Sequence, residues 1–181
     1  MCLTYIIKIM ITLDRNKTIA LTGHRPKEML SHCQTDIGLD QIRSDAAKQI
    51  LNLYRHGYNT FLSDMTQGFG LLAAEIVLSL RSQCPDIRLI PVILFHGHER
   101  RYNKNDRRRY ADILMQTDQT IVLAACFSKD CFLNRNRYIL DNASHLIVYW
   151  TGKQNGETYY TVCEALNREI PIHNIYLIHN I

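Results

Sequence analysis

The sequence predicts an α/β fold: three layers, Rossmann-like, built on a mainly parallel, doubly wound sheet. Three observations carry that expectation. Short apolar runs recur without the polar alternation of a half-exposed strand, so each is expected to be buried on both faces. Between them lie stretches with apolar residues at helical spacing. Glycine or a polar cluster marks most of the junctions. Right-handed crossovers then turn the alternation into one sheet with helices on both sides.

Each element follows from its own pattern. KTIALT at 17–22 reads as the first strand, ended by Gly23. Leu39, Ile42, Ala46, Ile50 and Leu53 make one apolar stripe, which predicts a helix over 39–56 stopped by Gly57. YNTFLS (58–63) is the second strand and FGLLAAEIVLSLRS (69–82) the second helix. IRLIPVIL (87–94) is the third strand, short or near an edge because Pro91 withholds an N–H from the ladder. A helix at 105–116, a strand at 119–125, a helix at 132–142 and the strand HLIVYW (145–150) follow. A helix at 157–168 and a last strand at 172–178 complete the chain. With no repeat, low-complexity stretch or linker, residues 1–181 are expected to form one domain, with 1–16 as an N-terminal extension.

That N-terminus, MCLTYIIKIMITL, is too short for a membrane span and carries Lys8 in its middle. No small-residue cleavage site follows it. It is expected to be dispensable: either an extra edge strand or a stretch ahead of a translation start at Met10. The composition, 46% hydrophobic and 21% charged, is that of an ordinary globular protein, and the reading is cytoplasmic with no membrane association. A net charge of +4 suits an anionic ligand but is too small to argue for nucleic acid by itself. The six cysteines form no CxxC and have no histidine at zinc-finger spacing, so reduced and mostly buried thiols are expected, with no metal.

In a doubly wound sheet the strands' carboxyl ends share one edge, and ligands bind there. Three loops at that edge carry suitable groups: TGHRP at 22–26, SDMTQGFG at 63–70 and WTGKQNGETYYT at 150–161. Each has glycine for close backbone approach and hydroxyl or amide groups for hydrogen bonding. Plain structural roles stay open beside this one. Gly23 suits a turn, Arg25 can pair with a surface carboxylate, and Glu75 and Thr158 can favour or cap a helix start. The run HGHERRYNKNDRRRY at 96–110 holds six basic and two acidic residues, the usual makeup of a solvated face. Tyr102 and Tyr110 among its arginines keep a nucleotide or nucleic-acid role in view. Arg135, Asn136 and Arg137 are placed at a helix start, where they can donate many hydrogen bonds to an anion or simply be solvated.

TGHRP, FLSDMTQGFGLLAAEIVL and RNRYILDNASHLIVYWTGKQNGETYYTVCEA together resemble the SLOG superfamily of Rossmann-like domains, closest to its YpsA-like branch. More distant similarity extends to DNA-processing protein A, which binds single-stranded DNA, and to the cytokinin-activating phosphoribohydrolases. The resemblance runs from about Lys17 to the C-terminus. It implies a nucleotide-type ligand, with no other cofactor, near Thr22, Gly23, His24, Arg25, Ser63, Gly68, Arg135, Asn136, Gly156 and Thr158. Gly152 belongs to the third of these loops. Two departures stand out. In the second loop Asp64 replaces a glycine of the family pattern and Gly70 replaces an aspartate. In the third loop Glu157 sits between the glycine and the threonine.

Both departures bring a carboxylate toward the expected phosphate. Two like charges about 4 Å apart repel by roughly 4 kcal/mol at an effective dielectric of about 20, which is about three decades of affinity. Asp64 is therefore expected to receive a hydroxyl or an amine, leaving phosphate to His24, Arg25 and Arg135. The hydrolytic relatives place a glutamate just after the glycine-threonine turn. Here Tyr159, Tyr160 and Thr161 follow, and the next acid is Glu164. With no nucleophile elbow, P-loop lysine or zinc signature either, no catalytic residue is assigned. The expected function is non-catalytic binding or sensing of a nucleotide-derived small molecule, reported to a protein partner. A single-stranded DNA-binding module is the alternative, and a phosphoribohydrolase is disfavoured.

Overall fold

A computed structural model of the chain describes residues 12–32, 36–117 and 119–178. The first eleven residues, where an extra edge strand or a translation start at Met10 was expected, lie outside the described residues, and with them Cys2; so does Cys33. Six parallel strands form one sheet: β1 (Thr18–Gly23), β2 (Thr60–Ser63), β3 (Arg88–Ile93), β4 (Ile121–Val122), β5 (His145–Tyr149) and β6 (Ile172–Asn174). Their order is β4-β3-β2-β1-β5-β6. The chain therefore winds outward from β1 to β4, returns to place β5 on the other side of β1, and continues to β6.

The two cores show why the strands lack polar alternation. Ile19 and Leu21 of β1 and Phe61 of β2 pack on one face against α2 (Asp36–Arg55), α3 (Phe69–Ser79) and α4 (Lys104–Met115). Ala20 of β1 and Leu62 of β2 pack on the other face against α5 (Cys131–Asp141) and α6 (Gly156–Asn167). Successive side chains of one strand enter opposite cores, so both parities must be apolar.

The structure departs from the sequence reading at three places and meets it at one. The 26–32 stretch forms a helix, α1 (Pro26–His32), with proline at the first helical position, where its missing N–H has no partner to lose. β3 lies near an edge, as Pro91 implied, one strand in, and its pairing with β4 begins at Val92, just beyond that proline. β4 spans two residues rather than 119–125, although Leu123 and Ala124 continue to bond to Ile93 and Leu94. The last strand stops at Asn174, and α7 (Ile175–Ile178) follows it. Asn174 explains that stop. Its side-chain amide accepts from Trp150 N–H at 3.1 Å and donates to Trp150 O at 2.8 Å, replacing the backbone ladder. Of the described cysteines, Cys84 and Cys131 are buried, whereas Cys126 is an exposed free thiol. Among the described residues, no helix is long and apolar enough to cross a membrane.

Candidate functional site

β1 is the strand at which the winding reverses, and the edge of the sheet between β1 and β5 is the topological switch point. Loops there leave in opposite directions and open a crevice. The loops after β1, β2 and β5 line a cleft of about 240 Å³ at that point. Thr22 and Gly23 enter it from the end of β1, and His24 and Arg25 from the loop that follows. Asp64 comes from the second loop, Gly156, Glu157 and Thr158 from the third, and Asn136 reaches it from α5. Arg135 is not part of the cleft lining; from α5 it reaches Glu157 on the buried side.

Arg135 and Asp64 are each only 2% exposed. A buried charge is tolerable only with partners, and here the partners are numerous. Asp64 Oδ2 accepts from the Thr22 hydroxyl at 2.6 Å, and Oδ1 accepts from Thr66 N–H at 2.9 Å. Arg135 Nη1 donates to the Asp64 carbonyl at 3.1 Å, and Nη2 donates to Glu157 Oε1 at 2.7 Å. The other Glu157 oxygen accepts from Arg25 Nη2 at 3.0 Å. Asn136 accepts from Arg135 and donates to Thr161 Oγ1 at 2.8 Å. Asp64 was expected to receive a hydroxyl or amine of a ligand; the hydroxyl it receives belongs to Thr22 of the same chain.

The cations expected to meet a phosphate are likewise engaged. Arg25 and Arg135 share Glu157, and Lys153 pairs with Glu28 at 3.3 Å. His24 Nε2 accepts from Thr151 N–H at 3.1 Å, which makes it the lone-pair nitrogen. With three cations set against Glu28, Asp64 and Glu157, the cleft is electrically balanced rather than positive. Arg135 and Asn136 lie inside α5 rather than at its start, so they act through side chains and not through free helix amides. Arg137 is exposed on the opposite face.

Besides Arg135, four expected residues lie off the cleft lining. Ser63 closes its own loop, donating to Gly70 O at 3.0 Å and accepting from Met65 N–H at 3.1 Å. Glu75 faces sideways from α3, held by Arg109 at 2.6 Å and Arg43 at 3.5 Å. Gly152 is a turn residue at φ 89° with open space around it. Gly68 joins the first two loops: at φ 93° it lies so close to them that an added Cβ would sit 2.4 Å from His24 O. The adjacent Phe69 N–H donates to that same carbonyl at 3.1 Å. Gly68→Ala is expected to cost at least about 3 kcal/mol, or roughly 6–12 °C of Tm. Gly57→Ala, at a similar φ of 94° but with nothing within 4 Å, is expected to cost about 1 kcal/mol. Thermal unfolding of both variants checks the difference.

Four residues at the cleft were not singled out by sequence: Glu28, Thr66, Lys153 and Asn155. Lys153 and Asn155 belong to a loop already chosen, but nothing in their type marked them. Asn155 precedes α6 without making a side-chain capping bond, and the helix's first turn, Gly156 to Thr158, borders the cleft. Thr66 is 7% exposed, and its Oγ1 has no hydrogen-bond partner. An unpartnered buried hydroxyl is costly, so its presence at the cleft wall asks for an occupant.

Comparison with known proteins agrees with this fold. Residues 19–180 match the family model described as the YspA SLOG family, YpsA. A UPF0398 protein of Bacillus pumilus is 26% identical over 153 residues, covering 83% of this chain and 82% of the relative. The UPF0398 protein YpsA of Bacillus subtilis is 24% identical over 154 residues, covering 84% and 86%. Among solved structures, DNA processing protein A from Helicobacter pylori, studied for its single-stranded DNA binding mode, superposes with a TM-score of 0.54 at 16% identity. That match covers 87% of this chain and spans 64% of the length of the other. The switch-point cleft and its three loops thus sit on a shared Rossmann-like framework, and the chain belongs to the YpsA SLOG family.

Proposed function

We propose that this protein binds a nucleotide-derived small molecule in the switch-point cleft, without catalysing its conversion, and reports occupancy to a protein partner. The observation that carries this reading is Thr66 Oγ1, a buried hydroxyl without a partner at the wall of the cleft. The first turn of α6 borders the same cleft, and helix amides at that position are natural donors to an anionic group. The balanced charge favours a ligand carrying one phosphate and several hydroxyls over a polyanion. Glu157, between two arginines, is the group such a phosphate displaces.

A second reading is single-stranded DNA. It is favoured by the likeness to DNA processing protein A and by the exposed Arg100, Arg101, Arg107 and Arg108 near the same edge. A salt titration separates the two, because binding through several DNA phosphates weakens steeply with salt.

The test begins with gentle purification, denaturation and mass spectrometry of any released small molecule. A nucleotide-like mass near equal stoichiometry is the expected result. Thr66→Val gives an independent check. Removing an unsatisfied hydroxyl while keeping the side chain's shape is expected to hold or raise Tm by up to about 1 kcal/mol of stability. The same change is expected to weaken nucleotide binding by about fivefold or more. A released-molecule spectrum without nucleotide, no thermal shift with nucleotides and a Thr66→Val variant that behaves as wild type would overturn the reading.

A further inference from the structure

We propose that a second, aromatic cavity beside the cleft receives the base of the bound nucleotide. This inference rests on the nucleotide reading of the cleft. The cavity, of about 110 Å³, lies where the loops following β3 and β4 meet α5. It has room for several waters, and hence for a planar ring in their place. Arg25 and Thr66 border both this cavity and the cleft, so one ligand can span the two.

The walls are those of a stacking site. Phe95 and Phe127 meet edge to face, with centroids 6.4 Å apart and planes at 81°. Arg101 lies 5.7 Å over the Phe127 ring, and Arg135 lies 5.7 Å over Phe132 on the inner side. Phe127 is 51% exposed and belongs to neither apolar core. An exposed phenyl ring under an arginine at a cavity mouth is how proteins commonly hold a flat base.

The polar groups suit a base as well. His98, 7% exposed, also borders the cavity. Its Nδ1 lies 3.0 Å from the Phe95 carbonyl, which only a protonated Nδ1 can bond, so Nε2 is the lone-pair acceptor. That Nε2 has no partner. Burial lowers the affinity of the ring for a second proton, opposed by the Phe95 carbonyl and by Glu99 and Asp64, and assisted by Arg135. Thr66 Oγ1 adds a hydroxyl that can donate or accept. Together these groups read the edge of a heteroaromatic ring that presents an N–H donor, while the faces of the ring stack.

Titration calorimetry with adenosine 5′-monophosphate and with ribose 5-phosphate, on the wild type and on Phe127→Ala, tests the assignment. The expected result is that Phe127→Ala lowers the affinity for adenosine 5′-monophosphate about tenfold or more and leaves that for ribose 5-phosphate unchanged. If both ligands bind and Phe127→Ala changes neither, the base site is overturned while the nucleotide reading of the cleft survives. If the wild type binds neither, the nucleotide reading fails and the base site with it. A deoxyadenylate oligonucleotide distinguishes the source of the base. Tighter binding than the mononucleotide, steep salt dependence and the same loss in Phe127→Ala would support the base site and assign its occupant to single-stranded DNA.

Discussion

Asp64→Ala is expected to destabilise the protein by about 3–5 kcal/mol, which lowers Tm by roughly 10 °C or more. The carboxylate ties the three elements of the cleft together. It holds the Thr22 hydroxyl at the end of β1 and Thr66 N–H in the second loop, and it lies 3.9 Å from the Arg135 guanidinium of α5. Its removal leaves two buried donors unpaired and strips a buried cation of one of its two carboxylates. Asp64→Asn keeps the shape and one acceptor oxygen, so about half the loss is expected.

Gly70 sharpens this test. A Cβ at Gly70 would lie 2.1 Å from Asp64 Oδ1, so the space beside residue 70 is already filled by the carboxylate of residue 64. Asp64 and Gly70, which together make the second loop's departure from the family pattern, are therefore packed against each other. The double variant Asp64→Gly/Gly70→Asp is expected to be more stable than Asp64→Gly, recovering about half of the loss, because an aspartate at 70 projects into the vacated volume. A double variant no better than the single one in denaturant unfolding would show that the carboxylate cannot be supplied from the helix.

Glu157→Gln is expected to raise the affinity for phosphate-bearing ligands by about 10- to 100-fold. In the structure Glu157 bridges Arg25 at 3.0 Å and Arg135 at 2.7 Å, occupying the position in which those guanidinium groups would hold a phosphate. Gln keeps the length and a hydrogen-bonding oxygen but removes the charge, so the arginines become available to an anion. Titration with inorganic phosphate and with adenosine 5′-monophosphate reads the change, and both should tighten together. Weaker binding of the nucleotide alone would instead mean that Glu157 accepts ribose hydroxyls. Removing the charge also leaves Arg135, at 2% exposure, with less compensation, so a loss of stability of about 1–3 kcal/mol is expected beside the gain in affinity.

Much of the framework was legible because burial leaves a mark on composition. KTIALT and HLIVYW read as strands from their unbroken apolar runs, and both enter the two cores through alternate side chains. Gly23 and Gly57 marked the ends of a strand and a helix by the same local reasoning. The misreadings have equally local causes. α1 is too short to show an apolar period, and Asn174 replaces a strand's ladder with its side chain, an exchange no pattern of hydropathy records.

For the site, sequence could name loops but not directions. Thr22, His24, Arg25, Asp64 and Glu157 were all singled out, and all border the cleft. Ser63 and Glu75 have the same chemistry as site residues elsewhere, yet one turns into its own loop and the other toward Arg109. Side-chain type and spacing are one-dimensional properties, and they determined the fold class, the sheet edge and the loops that line the cleft. Which charges cancel, which hydroxyl stays without a partner, and how Phe95, His98 and Phe127 gather around one cavity were decided only by tertiary structure. Those relations join groups far apart in the chain, and a hydrogen bond or an ion pair exists only where three-dimensional distance permits it.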